Sequence, residues 1–243
     1  MSKRILLIQI RDPDDAMLSH EAQCVQRKLA RLDVELRTLN ALEHPIGSNA
    51  FNGTDGVIIG GSGDFSVHHP LSKPFVEPMF KTLDVISGLG LPTFGICFGH
   101  QLIGSWLGST VHTDPERAEL GTVRVTKTAV GEEFAMLNLF AQSFFVHCGH
   151  SDLVTECPSG CDVILSNETV QTQGFSVRGI PMASVQFHPD MTAMEARDRL
   201  LAYADGFTDR IETDAESFAK KFELGRDESA ELIDAFFRSH GFA

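Results

Sequence analysis

Gly95-Ile96-Cys97-Phe98-Gly99-His100-Gln101 constrains the fold more than any other stretch, because it sets a thiol between two glycines where a buried strand turns at once into a helix. Leu91–Ile96 reads as the strand and Gln101–Leu107 as the helix. Glycines two before and two after the cysteine let the backbone take a strained bend that leaves the side chain at the carboxyl end of a sheet. Helix N-terminal N–H groups and the positive end of the dipole favour thiolate over thiol, and the same groups can receive an oxyanion. A buried structural cysteine in a glycine-rich β-α turn has the same local spelling, so a nucleophilic Cys97 needs a base from elsewhere in the chain.

Pro181-Met182-Ala183-Ser184-Val185-Gln186-Phe187-His188-Pro189-Asp190 supplies one: it reads as a second core strand ending in a histidine, a proline that stops the ladder, and a carboxylate. A base at a strand's carboxyl end can share a rim with Cys97, so nucleophile, base and orienting acid are all available. Asp190 has two readings. It can hold the imidazole of His188, or it can favour the N-terminus of the helix announced by the capping box Thr192-x-x-Glu195.

These segments fall in a chain whose apolar strands alternate with helical patterns. Ile5–Ile10 precedes a helix over roughly 15–32, Val34–Leu39 alternates as a strand, and Gly56–Ile59 and Leu91–Ile96 are buried strands. Such alternation predicts a parallel sheet with right-handed crossovers. Gly121–Thr126, with its period of two, predicts antiparallel strands between 117 and 130, hence a sheet that is mixed at one edge.

The two reactive segments resemble the class I glutamine amidotransferase family, which has a Gly-x-Cys-x-Gly-His/Met-Gln elbow and a later Gln-Phe-His-Pro-Glu strand end. The resemblance runs from Arg4–Ile8 to about Phe207, and includes Gly60-Gly61-Ser62-Gly63 as an oxyanion loop. It also includes Val146–Val154, which is similar to the Ser-His-Gly-Asp-x-Val stretch of the GMP synthetase amidotransferase domain. It implies an α/β, flavodoxin-like, mostly parallel mixed sheet with helices on both faces, over residues 1–207. It implies Cys97, His188 and Asp190 as the catalytic set, with aspartate standing where the family has glutamate. The oxyanion donors would be the N–H groups of Gly61 and Phe98, and Gln101 and His150 would lie on the substrate side. The implied reaction is hydrolysis of a γ-glutamyl amide through a thioester, with no cofactor. Because no Gly-x-x-x-x-Gly-Lys-Ser/Thr motif or synthetase segment is visible, either a separate synthetase subunit takes the ammonia or the enzyme is a free-standing hydrolase. The alternatives are a γ-glutamyl peptide hydrolase and a catalytically weakened binding subunit.

The net charge of −13 argues against nucleic acid or an anionic membrane as partner. The apolar run after Met1-Ser2-Lys3-Arg4 stops at Ile10, too short for a signal peptide, and no later stretch approaches a membrane span, so a cytoplasmic location is expected. Five irregularly spaced cysteines point to reduced thiols, with Cys24 in a helix core. Cys157 and Cys161, with Cys148 and His150, lack the closed spacing of a zinc site, and no metal is expected. His68 and His69, being adjacent, face different ways, and His147 and His150 lie near a strand end. Residues 208–243 carry Phe218, Phe222, Phe236 and Phe237 among charges and read as two short amphipathic helices, starting near Asp214 and Asp227, packed on the main domain as a C-terminal extension.

Overall fold

The computed structural model describes residues 2–63, 65–203, 217 and 219–243. Nine strands form one sheet, and its first five members in space are parallel: β2 (Val34–Asn40), β1 (Lys3–Ile10), β3 (Gly56–Ser62), β4 (Thr93–Ile96) and β11 (Met182–Val185). The sheet continues antiparallel through β10 (Gly174–Val177), β9 (Cys161–Ser166), β6 (Glu119–Lys127) and β7 (Ser143–His150). The single strand β6 accounts for the alternating run 119–127, and its partners are β7 and β9. A separate two-stranded ribbon, β5 (Val111–Thr113) with β8 (Asp152–Val154), brings Asp152 opposite Thr113.

The parallel strands are apolar on both faces because helices cover both. On β1, Ile5 and Leu7 point to one side, where they meet Val25 and Leu29 from α1 (Met17–Lys28) and its C-terminal edge, and Phe236 and Phe237 from the last helix, α6 (Leu232–Ser239). Leu6 and Ile8 point to the other, against Leu83 and Ile86 of α2 (Lys73–Leu89) and Leu102 of α3 (Phe98–Trp106). The helix expected over 15–32 is shorter, because the chain makes a turn after Lys28 before entering β2. A short helix, α4 (Ala129–Glu132), lies apart from these layers against β9.

The C-terminal segment is integral to this core. Phe236 packs on Phe94 with ring centroids 5.1 Å apart. Polar contacts add to this: Lys221 O accepts from Thr122 N–H, and Glu228 Oε2 accepts from Phe145 N–H. The helix expected near Asp214, like Phe218, lies outside the described residues. Asp227 does not begin a helix of its own, since α6 starts at Leu232. Its carboxylate instead accepts the N–H of Ala193, the first residue of α5 (Ala193–Ala202), and also pairs with His147.

Candidate active site

The carboxyl ends of parallel strands form the rim where doubly wound sheets bind ligands. Three of them converge here: β3 carries Gly61 near its end, β4 leads into Cys97, and β11 toward His188. Cys97 sits between β4 and α3 with φ 51° and ψ −101°, the one non-glycine in the left-handed region among the described residues. Only glycine permits the close approach around it, since a Cβ at position 99 would lie 2.3 Å from the carbonyl oxygen of Ile59. The helix starts at Phe98, directly after the cysteine and earlier than the expected Gln101, so the first free N–H of α3 belongs to Phe98.

β11 ends at Val185, and the irregular Gln186-Phe187-His188 carries the chain on to the rim. His188 is held there by its own N–H, which donates to the carbonyl of His147 at 2.9 Å. Its Nδ1–H donates to Asp190 Oδ1 at 3.1 Å, and the ring lies beside Cys97 at Gly61. Asp190 Oδ2 accepts from Arg199 Nη1 at 3.3 Å. Capping of α5 falls to Thr192 and Glu195, whose side chains each accept the other's backbone N–H, and this leaves both Asp190 oxygens for His188 and Arg199.

The electrostatics follow from burial and charge. Burial by itself opposes an imidazolium at 188, but the Cys97 and Asp190 side chains outweigh it and push the His188 pKa up to about 9. Burial likewise opposes ionisation of Asp190, and is outweighed by His188 and Arg199, which hold the carboxyl well below its ordinary value. Gln186 Nε2 donates to Cys97 Sγ at 3.7 Å and its Oε1 accepts from Gln101 Nε2 at 3.3 Å, so Gln101 touches the thiol's neighbour. Burial pushes the thiols of Cys24 and Cys161 up to about 12, that of Cys148 well above its ordinary value, and that of Cys157 upward.

Other residues singled out in the sequence are placed as follows. Gly61 adjoins both side chains, a Cβ there lying 3.0 Å from His188 Cε1 and 3.9 Å from Cys97 Cβ, but its N–H donates to Glu21 Oε1 at 3.0 Å. Both ring nitrogens of His150 are engaged, Nδ1 by the carbonyl of Asp152 and Nε2 by Glu119 at 3.2 Å. His147 is neutral, its pKa lowered by burial, and bridges Thr122 and Asp227. His69 accepts from Leu71 N–H at the start of a 3-10 turn, while His68 reaches Thr113.

Metal-ligand side chains meet in two places among the described residues, His20 with Cys24 and Glu195, and Glu119 with Cys148 and His150. In the second, the Glu119 oxygens already accept from Asn167, Gln173 and His150, a set of donors that suits a bare carboxylate. In the first, Arg27 and Arg199 crowd Cys24 and His20 with positive charge.

Three participants escape the sequence reading. Gln186 lies inside the strand-end motif and is readable there as a donor near sulfur. Glu21 interrupts the apolar stripe of α1, and a buried acid on such a stripe is a signal. Arg199 has no sequence mark.

Comparison with known proteins gives the family and the fold. The family described as Glutamine amidotransferase class-I matches residues 17–204. A glutamine-hydrolyzing GMP synthase subunit of Saccharolobus solfataricus is 33% identical over 141 residues, covering 58% of this chain and 70% of that protein. The protein of the same name from Methanocaldococcus jannaschii is 29% identical over 128 residues, covering 53% of this chain and 66% of that one. A crystal structure of a glutamine amidotransferase from Thermotoga maritima superposes with a TM-score of 0.77 at 19% identity, covering 98% of both chains.

Proposed function

The chain belongs to the class I glutamine amidotransferase family, and on that premise we propose that it hydrolyses the γ-amide of glutamine or another γ-glutamyl compound through a thioester on Cys97. The placement of Cys97 and His188 together beside Gly61, with His188 held by Asp190, carries the reading. Cys97 thiolate attacks the γ-carbonyl carbon, forming a C–S bond. The oxyanion is received by the N–H of Phe98, and by that of Gly61 when it leaves Glu21. His188, protonated on both nitrogens, gives its Nε2 proton to the departing nitrogen as the C–N bond breaks. The neutral ring then takes a proton from water, whose oxygen attacks the thioester and releases glutamate. Asp190 keeps the Nδ1 proton in place throughout and supports the imidazolium, while Arg199 fixes the carboxylate. Gln101 and the wall shaped by His150 serve the amino-acid end of the substrate.

In this reading residues 1–207 are the amidotransferase-like domain and 208–243 a helical extension packed on it, and the setting is a reducing, cytoplasmic one that keeps Cys97 a thiol. The ammonia goes to a separate synthetase partner, in keeping with archaeal relatives that are named as subunits of a synthase, or is simply released. Among the described residues no helix is long and apolar enough to cross a membrane. One observation favours a low rate for the isolated chain: the Gly61 N–H is occupied by Glu21. The test is incubation of the pure protein with glutamine and a panel of γ-glutamyl compounds, reading free glutamate and amine. Turnover that vanishes in Cys97→Ala is expected; a rate equal in wild type and Cys97→Ala rejects the proposal.

A further inference from the structure

The sheet ends at β2, which pairs with β1 along its whole length and with no other strand among the described residues. This edge is seven residues long, keeps one register against β1 from Val34 to Asn40, and carries no proline. Edges of this kind invite another strand, and proteins that avoid one shorten, bulge or break them. Which groups the edge offers follows from its two ends. Lys3 N–H donates to the carbonyl of Asp33, and Ala41 N–H to that of Gln9. In a parallel ladder alternate residues bond to the neighbour, so Glu35, Arg37 and Leu39 spend their backbone groups on β1. Leu36 and Thr38 turn N–H and C=O outward. Val34 offers its C=O alone, since its N–H donates to the carbonyl of Leu32.

The side chains suit this edge to a second copy of itself. Glu35-Leu36-Arg37 sets an acid and a base evenly about a leucine. In an antiparallel pair with its two-fold axis at Leu36, Leu36 exchanges both hydrogen bonds with the partner's Leu36, and Thr38 N–H donates to the carbonyl of the partner's Val34. Glu35 then stands opposite the partner's Arg37 in a non-hydrogen-bonded pair, the arrangement that brings facing side chains closest. Moving the axis to Glu35 or to Arg37 sets like charges against each other, so the charges also fix the register. Within one chain Glu35 reaches Arg4 at 3.5 Å, whereas Arg37 meets no carboxylate among the described residues. On the α1 side, Leu36 and Thr38 line an open groove with Ala22, Gln23 and Gln26, which leaves room beside the edge for the partner's strand.

We infer that β2 is a self-association edge: two copies of the chain join antiparallel through it into one continuous sheet, with Glu35 paired to the partner's Arg37 on each side of the axis. The net charge of −13 repels the copies at a distance. At physiological salt that field is screened beyond about 8 Å, and the contact pairs act within that range.

The test is sedimentation equilibrium of the intact protein at physiological salt, for the wild type, Arg37→Glu, Glu35→Arg and the exchanged double variant Glu35→Arg/Arg37→Glu. A reversible monomer–dimer equilibrium is expected in the wild type. Either single reversal puts like charges opposite each other twice and should weaken the dimer roughly tenfold, and the exchange should restore it. A wild type that stays monomeric at millimolar concentration overturns the inference, as does a dimer that neither reversal weakens or that the exchange fails to recover. Hydrogen exchange on the wild type reads the same edge without a variant. The Leu36 and Thr38 amides should gain protection as concentration rises, while those of Glu35 and Arg37, already bonded to β1, should not; no gain at Leu36 and Thr38 overturns the inference.

Discussion

Glu21 Oε1 accepts the N–H of Gly61 at 3.0 Å, and the same carboxylate takes two hydrogen bonds from Arg11, both side chains being shut off from solvent. The end of β3, where the proposed oxyanion donor lies, is thus tied to a buried ion pair between Arg11 and Glu21 of α1. Glu21→Gln keeps an acceptor for Gly61 but leaves Arg11 only Asp15 as a counter-charge, and breaking a buried pair costs at most about 3–5 kcal/mol. Calorimetry should show Tm falling by on the order of 10 °C. Gly61 N–H, held by a neutral and weaker acceptor, is freed for the oxyanion, so kcat per folded molecule rises several-fold. A kcat unchanged within experimental error would take Gly61 out of the oxyanion hole.

Cys97 should be the thiol that reagents find. Burial pushes the other four thiols upward, Cys24 and Cys161 to about 12, and thiolate is the reacting form. Iodoacetamide at neutral pH, followed by peptide mapping over time, should modify Cys97 first and abolish turnover in step with that adduct. Earlier modification of Cys157, the most exposed of the four, would contradict the assignment.

The pH profile tests the imidazolium. His188 has a folded pKa near 9 against an ordinary value of 6.5, so the stability from its charge is complete below 6.5 and lost as pH rises through about 9. Asp190, shifted the other way, contributes stability that is lost only in strong acid. Activity should fall on the alkaline side near pH 9. Asp190→Asn should draw that limb downward and cut kcat about 10²–10⁴-fold with little change in KM. Thr192→Ala supplies the contrast: it removes the cap, costs about 1 kcal/mol of stability, and leaves the alkaline limb in place. If both substitutions moved Tm alone, Asp190 would have no part in orienting the base.

Asp227→Ala strips a shared acceptor from the N-terminus of α5 and from His147, whose carbonyl holds the backbone of His188. Two buried donors are left without a partner, at about 1–3 kcal/mol each. A Tm lower by several degrees and a several-fold loss of kcat are expected, with Asp227→Asn recovering most of both. A full-rate, less stable alanine variant would limit Asp227 to a structural role.

The parallel core is legible in the sequence because its strands are apolar on both faces, and the elbow and the strand-end histidine are legible because each is spelled by neighbours. What stays hidden depends on contacts between distant elements. Nothing near Asp227 says that its carboxylate caps a helix thirty-odd residues earlier. Nothing near Asp190 reveals Arg199, although Thr192 and Glu195 are readable as a complete cap and so relieve Asp190 of that duty. His150 shows the reverse: its motif suggests contact with substrate, whereas its two nitrogens already have partners within the protein.

The left-handed backbone at Cys97 bears on the stability of the chain. An L-residue held there costs about 1–3 kcal/mol, and glycine would relieve it. Cys97→Gly should therefore melt later than the natural chain while doing no chemistry. A later-melting Cys97→Gly would tie the strain held at this position to the chemistry proposed for the thiol.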